Sequence, residues 1–455
     1  MLFPFLLIAA AVVALTGAAI ALDGSRDVFH PLVFIGPMLA FLYWWMPWKL
    51  YLAHGLDRFF DENQLLFVAA LNLIGVTAFV VGCLSSGVRL SRKNFKPRLR
   101  LTTEQLNRLL VGGCISGGIG FACWSITIIN VGGFVNAYSK SYTGGWDDSG
   151  YIRDGSLLLL VGLIMAVASL AKGGPRILSY LMLATFGLPW LLGALLMARR
   201  GPTFEMLIVL LMGWYINRRS RPAIAAVAMT GFCVGWLVLF LVTNRGSIYL
   251  GSDFDVKTDV SEIVETSDTG NEWIYGAGAV LSSQHRDHYF WMRRYLAQII
   301  VRPIPSAVWP TKYEDFGVPE LLHNAGTGEG FGDALGWKGA DGSAPGIVAD
   351  LWAEVWWFSP LIMALLGRVY GRVWRRAVTC GGAWASQYVV IAALSIYLVM
   401  QTMEAVIFRT LLLSIPCWLT WRYALAPSSH RSPIPSRHMA PQSRPQTLLP
   451  KEAMK

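Results

Sequence analysis

The sequence contains few charged residues. Asp, Glu, Lys and Arg make up 15% of its 455 residues and hydrophobic residues 54%, whereas a soluble globular protein carries charge on roughly a quarter of its residues. A water-soluble surface cannot be built from that mixture. The composition therefore excludes an ordinary soluble protein and indicates that much of the apolar surface faces lipid.

Cysteines are also scarce, and none falls in the long stretch of residues 244–345. All six lie in or beside apolar blocks, at Cys83, Cys114, Cys123, Cys233, Cys380 and Cys417. Disulfides and cysteine-based metal sites are therefore not expected. Asp253, Asp255 and Asp259 have a calcium-like spacing, but the glycine and terminal glutamate of a calcium loop are missing. We predict no metal site.

Two further signatures are missing. No positive charge precedes the apolar run of residues 2–22, so this run is predicted to be a first transmembrane helix rather than a signal peptide. The glycine-rich run near residues 324–346 lacks the Gly-Lys-Ser/Thr ending of a phosphate loop and a strand before it. Nucleotide binding is therefore rejected, and no cofactor is predicted.

What the sequence does contain is a series of apolar blocks of about 17 to 25 residues, the length that crosses a hydrocarbon core. They predict an all-α polytopic membrane protein with eleven transmembrane helices, near residues 2–22, 31–49, 64–86, 107–130, 155–172, 176–197, 202–217, 222–243, 346–367, 384–401 and 405–424. The first eight helices occupy residues 1–243 and the last three residues 346–425. One large loop, residues 244–345, separates the two sets.

The basic residues predict the orientation of the helices. The formal net charge is +10, but Lys and Arg cluster in short connections between apolar blocks, which is typical of membrane orientation rather than of nucleic-acid binding. The basic connection 87–105 is assigned to the cytoplasm. Alternation then places the N-terminus and the 244–345 loop outside. The tail, residues 426–455, is placed in the cytoplasm and, being rich in Pro, Ser and Arg, is expected to be disordered.

Several basic residues fall on the predicted outer side. Arg199 and Arg200 lie in a short outer connection, where they are either a tolerated exception to the charge rule or ligands of an anion. An amphipathic interfacial helix is predicted near residues 282–302. Its arginines, with Arg302 at the end, either extend beside lipid headgroups or belong to a substrate site.

Two carboxylates open the ninth predicted span. Asp350 and Glu354 lie four residues apart and hence on one helix face, near the predicted outer surface. Carboxylates at such a position indicate a functional site. The alternative is ordinary pairing with Arg245 or Arg302.

Local motifs resemble one family, the oligosaccharide repeat-unit polymerases of bacterial surface polysaccharides, which include the O-antigen and enterobacterial-common-antigen polymerases. The matching segments are residues 198–201 (ARRG), 217–221 (NRRSR), 302–312 (RPIPSAVWPTK) and 342–346 (GSAPG), with His323 about twenty residues before the last of them. The chain departs from the family pattern at residues 352–360 (WAEVWWFSP), where relatives often have a tyrosine followed by phenylalanine and glycine.

The resemblance implies a membrane glycosyltransferase fold and activity. Such an enzyme uses undecaprenyl-diphosphate-linked oligosaccharides, extends the glycan at the outer face of the bacterial inner membrane, contacts membrane lipid and takes a chain-length regulator protein as a partner, without nucleic acid. The leaving diphosphate requires cations, and the predicted set is Arg199, Arg200, Arg245, Arg302 and Lys312. The predicted general bases are Asp350, Glu354 and His323.

Three alternatives stay open. A flippase or transporter for lipid-linked sugars would need polar groups along a path through the membrane. A surface-polysaccharide ligase would have a similar layout and another acceptor. A structural subunit of a secretion complex would need no catalytic groups.

Overall fold

The structure is a computed structural model that describes residues 2–87, 100–139, 150–197, 200–218, 221–244, 246–253, 255–259, 272–317 and 344–427. Within these ranges the chain forms helices and connecting segments and no strand. The helices are α1 (Leu2–Ser25), α2 (Pro31–Leu52), α3 (Glu62–Ser85), α4 (Thr103–Asn130), α5 (Phe134–Tyr138), α6 (Gly150–Gly155), α7 (Leu158–Ala171), α8 (Arg176–Met197), α9 (Arg200–Ile216), α10 (Ile224–Thr243), α11 (Glu272–Arg286), α12 (Arg293–Leu296, continuing as the π-helical turn Ala297–Val301), α13 (Lys312–Asp315), α14 (Gly346–Val355), α15 (Ser359–Cys380), α16 (Ala383–Ala393), α17 (Ser395–Met400) and α18 (Met403–Leu425).

Nine helical segments of the described chain are long and apolar enough to cross a membrane. The prediction of an all-α polytopic membrane protein is thereby confirmed, whereas the count of eleven spans stays a prediction. The two predicted spans outside the nine correspond to α9, whose apolar part is shorter, and α18, which carries Glu404, Arg409 and Arg422.

Small residues let helices α3 and α15 meet at their backbones. A Cβ added to Gly82 would lie 1.9 Å from the carbonyl oxygen of Ala364, and one added to Gly367 would lie 2.1 Å from that of Phe79. In lipid, where helix association depends on close packing, glycines allow this approach. The two helices run in the same direction, because Gly367 meets Phe79 and Gly371, one turn later, meets Ser86.

Contacts between segments distant in sequence show which connections lie together at each end of the bundle. At one end, Leu250 donates its N–H to Tyr138 O at 2.7 Å; we name this the loop end, because residues 244–345 leave and rejoin the helices there. At the other, Arg375 donates to Ser86 O at 3.1 Å and Arg108 to Ala426 O at 2.8 Å; we name this the basic end. These contacts agree with the alternation of the predicted spans, while the assignment of either end to the cytoplasm stays a prediction.

The segment predicted as one interfacial helix, residues 282–302, differs from the prediction. Helix α11 ends at Arg286, and α12 begins only at Arg293. The backbone of Asp287, Trp291 and Met292 between them has positive φ. A tertiary contact stabilises the break, since the N–H groups of Phe290 and Trp291 donate to carbonyls at the end of α14.

The span predicted at residues 346–367 is also divided. Helix α14 ends at Val355, a 3-10 turn covers Trp356–Phe358, and α15 continues to Cys380. Trp356 has φ +52°, a conformation that breaks a helix. The basic residues between Arg368 and Arg376, predicted to form a connection, therefore lie on α15.

Candidate functional site

Helix α14 is a short helix inside the bundle, and all ten of its residues are buried. A Cβ on Gly75 of α3 would lie 2.8 Å from the Val348 side chain, and the rings of Phe67 and Trp352 have centroids 5.6 Å apart. Phe67 and Gly75 lie roughly 8 and 20 Å along α3 from Glu62, at about 1.5 Å per residue. Helix α14 therefore packs against the first part and the middle of α3, with Trp352 nearer than Val348 to the start of that helix.

Arg294 of α12 binds both carboxylates of α14. Its Nη2 donates to Asp350 Oδ1 at 2.8 Å, and its Nε donates to Glu354 Oε1 at 2.5 Å. The side chains of both acids are completely buried, and that of Arg294 is 8% exposed. A guanidinium fork matches two acceptors spaced one helical turn apart. We name Arg294, Asp350 and Glu354 the arginine–carboxylate cluster.

Neighbouring donors complete the hydrogen bonding of Asp350. Its Oδ2 accepts from Tyr295 OH at 2.5 Å and from Met403 N at 2.9 Å. Burial, and then the charge of Asp350, raise the pKa of Tyr295 well above its ordinary value, so this hydroxyl keeps its proton and donates. Burial alone would lower the pKa of Arg294, but Asp350 and Glu354 together raise it. The cluster is thus an ion pair of one permanent cation with two acids.

The end of α14 is held by the segment between α11 and α12. Phe290 N donates to Ala353 O at 3.0 Å, and Trp291 N donates to Glu354 O at 2.7 Å. Carbonyls at the end of a helix lack intrahelical donors, and these N–H groups supply them. The Arg294 guanidinium also lies 4.8 Å from the centroid of the Phe290 ring. The 287–292 segment therefore covers the arginine–carboxylate cluster.

Arg302 forms a second polar group at the loop end. It forms an ion pair with Asp154, donates to Gln298 Oε1 at 2.8 Å, and lies 4.4 Å from the centroid of the Phe408 ring. Gln298 in turn donates to Glu404 Oε1 at 2.5 Å. The Arg302 side chain is 30% exposed, so among the described arginines of the site it is more accessible than Arg294.

A third group joins helices α9, α17 and α18. Arg409 Nη1 lies 4.0 Å from Glu205 Oε1, and the Arg409 guanidinium lies 4.1 Å from the centroid of the Tyr397 ring. The side chain of Glu205 is 1% exposed. Charged groups buried among apolar helices are costly and mark functional sites.

Lys312 contacts the backbone at the end of α12 and just after it. It is completely buried, and its Nζ donates to the carbonyls of Val301 at 3.2 Å and Arg302 at 3.5 Å, and also to that of Ile304. Its ammonium group therefore stabilises the turn after α12. The phosphate-binding role predicted for it stays a prediction.

The structure brings together some of the predicted site residues. Asp350 and Glu354 share one arginine, and Arg302 lies two helical turns further along the same segment. The other predicted residues, Arg199, Arg245 and His323 together with the side chain of Arg200, lie outside the described residues. In the structure Asp350 and Glu354 form ion pairs with Arg294. The alternative named Arg245, which lies outside the described residues, or Arg302, which forms an ion pair with Asp154.

Sequence reasoning missed Arg294 as the partner, although a signal was present. Arg294, Gln298 and Arg302 are spaced by four residues in an otherwise apolar stretch. Side chains four apart share one helix face, and all three point toward acids at the loop end. Among the described residues, no three His, Cys, Asp or Glu side chains form a group that could hold a metal ion.

Comparisons with protein-family models, curated proteins and solved structures gave no match to the chain.

Proposed function

We propose that this protein is a membrane glycosyltransferase that polymerises undecaprenyl-diphosphate-linked oligosaccharides into a bacterial surface polysaccharide. The observation that carries the proposal is the collection of buried and partly buried arginines and carboxylates beside the large loop. Those groups are Arg294, Arg302 and Arg409 with Asp154, Glu205, Asp350, Glu354 and Glu404. Glycosyl transfer from a lipid diphosphate needs cations for the leaving group and a base for the attacking hydroxyl.

In this proposal Arg302 binds the leaving diphosphate. Its partial exposure gives a ligand access to the guanidinium, whose planar fork fits phosphate oxygens. Asp154 holds the same group in the absence of ligand, so the diphosphate displaces a carboxylate. Arg199, Arg200 and Arg245 remain predicted contributors to the same anion site.

Glu354 is the proposed general base. Asp350 has three donors, namely Arg294, Tyr295 and the backbone of Met403. The Met292 backbone lies near the Glu354 carboxylate, but no described group donates a well-formed hydrogen bond to its buried Oε2. That oxygen can accept a proton, whereas Asp350 serves to position Arg294.

Access to Glu354 requires motion of the segment that covers it. The covering contacts are two backbone hydrogen bonds, from Phe290 and Trp291, and the contact of Arg294 with the Phe290 ring. We propose that binding of the acceptor sugar at the loop end displaces residues 287–292. Closing and opening of such segments accompanies catalysis in many enzymes.

The distribution of buried charge favours a one-sided site over a transport path. Among the described residues, the buried Asp, Glu, Lys and Arg side chains of the loop-end region are Glu205, Arg294, Lys312, Asp350 and Glu354, and the buried Asp and His side chains of the basic end are Asp27 and His30. A carrier of charged lipid-linked sugars would need charged groups between those two sets. This distribution supports an enzyme rather than a flippase.

Deletion of the gene, followed by analysis of surface glycan length and lipid-linked intermediates, tests the proposal. A polymerase deletion leaves single repeat units attached to the final acceptor. Repeat units retained at the cytoplasmic face would instead identify a flippase, and long chains left unattached would identify a ligase. Either of those two results contradicts the proposed function.

A further inference from the structure

A cavity of about 360 Å³ lies at the basic end, whereas the candidate active site lies at the loop end. It is bounded by the last turn of α7, the first turns of α8 and the last turn of α9. Its lining includes Gly173, Gly174, Arg176, Tyr180, Trp214 and Arg218. The cavity is thus framed by two arginines and two aromatic rings.

The two arginines give the cavity a positive charge. The Arg218 guanidinium lies 3.5 Å from the centroid of the Trp214 ring, and this stacking holds its planar face in place. Arg176 is the first residue of α8. Within the described part of the chain neither arginine forms an ion pair with an acid. An anion entering the cavity would therefore meet two cations that hold no carboxylate.

Backbone groups add to this positive character. Helix α8 has 22 residues, and the N–H groups of a first helical turn have no intrahelical partner and carry the positive end of the helix dipole. Gly173 precedes this turn with φ +83° and open space around the position of a Cβ. A phosphate could approach the backbone there without meeting a side chain.

Apolar surface lies directly beside the cationic cavity. On α8, Ile177 is 78% exposed and Leu181 59% exposed, and Tyr180, which lines the cavity, is 59% exposed. Such side chains on a membrane helix face the hydrocarbon chains of lipid. The surface therefore presents cations, which suit a lipid phosphate, next to apolar side chains, which suit its acyl chains. A free phosphate ion would use only the cations.

We propose that this cavity binds the headgroup of an anionic phospholipid. The phosphate lies between Arg176 and Arg218, the glycerol portion packs beside Trp214 and Tyr180, and the acyl chains follow Ile177 and Leu181 along α8. Basic sites between transmembrane helices recognise anionic lipids through the same combination of charge and hydrocarbon contact. The proposal is independent of the glycosyltransferase function.

Lipid retention in bilayers of known composition tests this site. The full chain is reconstituted in nanodiscs of phosphatidylcholine that contain a minor fraction of phosphatidylglycerol, and native mass spectrometry measures how far phosphatidylglycerol is enriched on the released protein. Arg176→Gln and Arg218→Gln should each lower the enrichment about fivefold, the effect of removing one cation near a lipid surface. Arg372→Gln is the matched control, because Arg372 is exposed on α15 and lies outside the cavity.

Three results would overturn the proposal. The first is no enrichment of phosphatidylglycerol on the unmodified protein. The second is an equal decrease for Arg372→Gln, which would show general attraction to a basic surface. The third is loss of the enrichment when saturating inorganic phosphate is added, which would show that the cavity selects a free anion rather than a lipid.

Discussion

Replacing Arg294 with glutamine should destabilise the fold by about 3–5 kcal/mol, the cost of removing one member of a buried ion pair. The substitution removes the cation that donates to the two carboxylates of α14, at 2.8 Å from Asp350 and 2.5 Å from Glu354. Both carboxylates are completely buried, so solvent cannot replace the lost donors. Two acids one helical turn apart on α14 would then be left in an apolar interior without their cation.

A denaturation series in detergent micelles, followed by near-ultraviolet circular dichroism, measures this loss. Arg293→Gln is the matched control, because Arg293 precedes Arg294 on α12 and is exposed; surface substitutions usually change stability by within about 0.5 kcal/mol. A triple variant, Arg294→Met with Asp350→Asn and Glu354→Gln, removes all three charges and should recover most of the stability. An Arg294→Gln variant as stable as the unmodified protein would refute the reasoning, as would a triple variant no more stable than Arg294→Gln.

Three further predictions concern activity, pH and the tail. Arg302→Ala should lower the polymerisation rate roughly a hundredfold, and Arg302→Lys should restore part of it. Glycan length at equal protein abundance measures the effect, and the control Arg372→Ala should have normal activity. Normal polymer in Arg302→Ala would contradict the prediction. Hydrogen bonds from Trp309, the larger cause, and from Thr311 lower the pKa of Asp315. The stability that these bonds contribute is therefore complete above the ordinary aspartate pKa, and it is lost as the pH falls through the lowered pKa. The test is to follow tryptophan fluorescence against pH in the unmodified protein and in Asp315→Asn. A transition that occurs above about pH 5 and only in the unmodified protein would contradict the prediction. Truncation from about residue 430 should leave polymer length unchanged, and shorter polymer at equal membrane abundance would oppose that expectation.

Helix positions were predictable where lipid alone determines them. The predicted span 176–197 has the same bounds as α8 (Arg176–Met197), and the predicted span 64–86 nearly matches α3 (Glu62–Ser85). A helix that crosses a bilayer has to satisfy its own backbone hydrogen bonds over a fixed thickness. The length of the apolar run is therefore enough to predict the bounds of such a helix, and the helices packed against it change those bounds little.

The breaks near the candidate site could not be predicted from apolar length. The division at Trp356 and the segment between Arg286 and Arg293 depend on backbone hydrogen bonds between parts of the chain some sixty residues apart, such as Phe290 N to Ala353 O. Hydropathy does not record such contacts. The packing of α14 on Gly75 and Phe67 is likewise a tertiary feature.

The chemistry of the site was predictable in part. The spacing of Asp350 and Glu354 correctly indicated one shared helix face, because that follows from helix geometry alone. Pairing with Arg245 or Arg302 is the alternative that the sequence offers to a functional site, and it does not include Arg294. With α12 starting at Arg293 and packed against α14, Arg294 is the arginine that reaches both acids.

Reconstitution of the purified chain tests the proposed function most directly. The protein is placed in proteoliposomes with an undecaprenyl-diphosphate-linked oligosaccharide as the sole glycan, and the products are separated by length while released undecaprenyl diphosphate is quantified. Polymerisation predicts a ladder of repeat units, with one lipid diphosphate released for each repeat added, and loss of both signals in Glu354→Gln. Unchanged substrate, or movement of the substrate across the bilayer without any new glycosidic bond, would contradict the proposal.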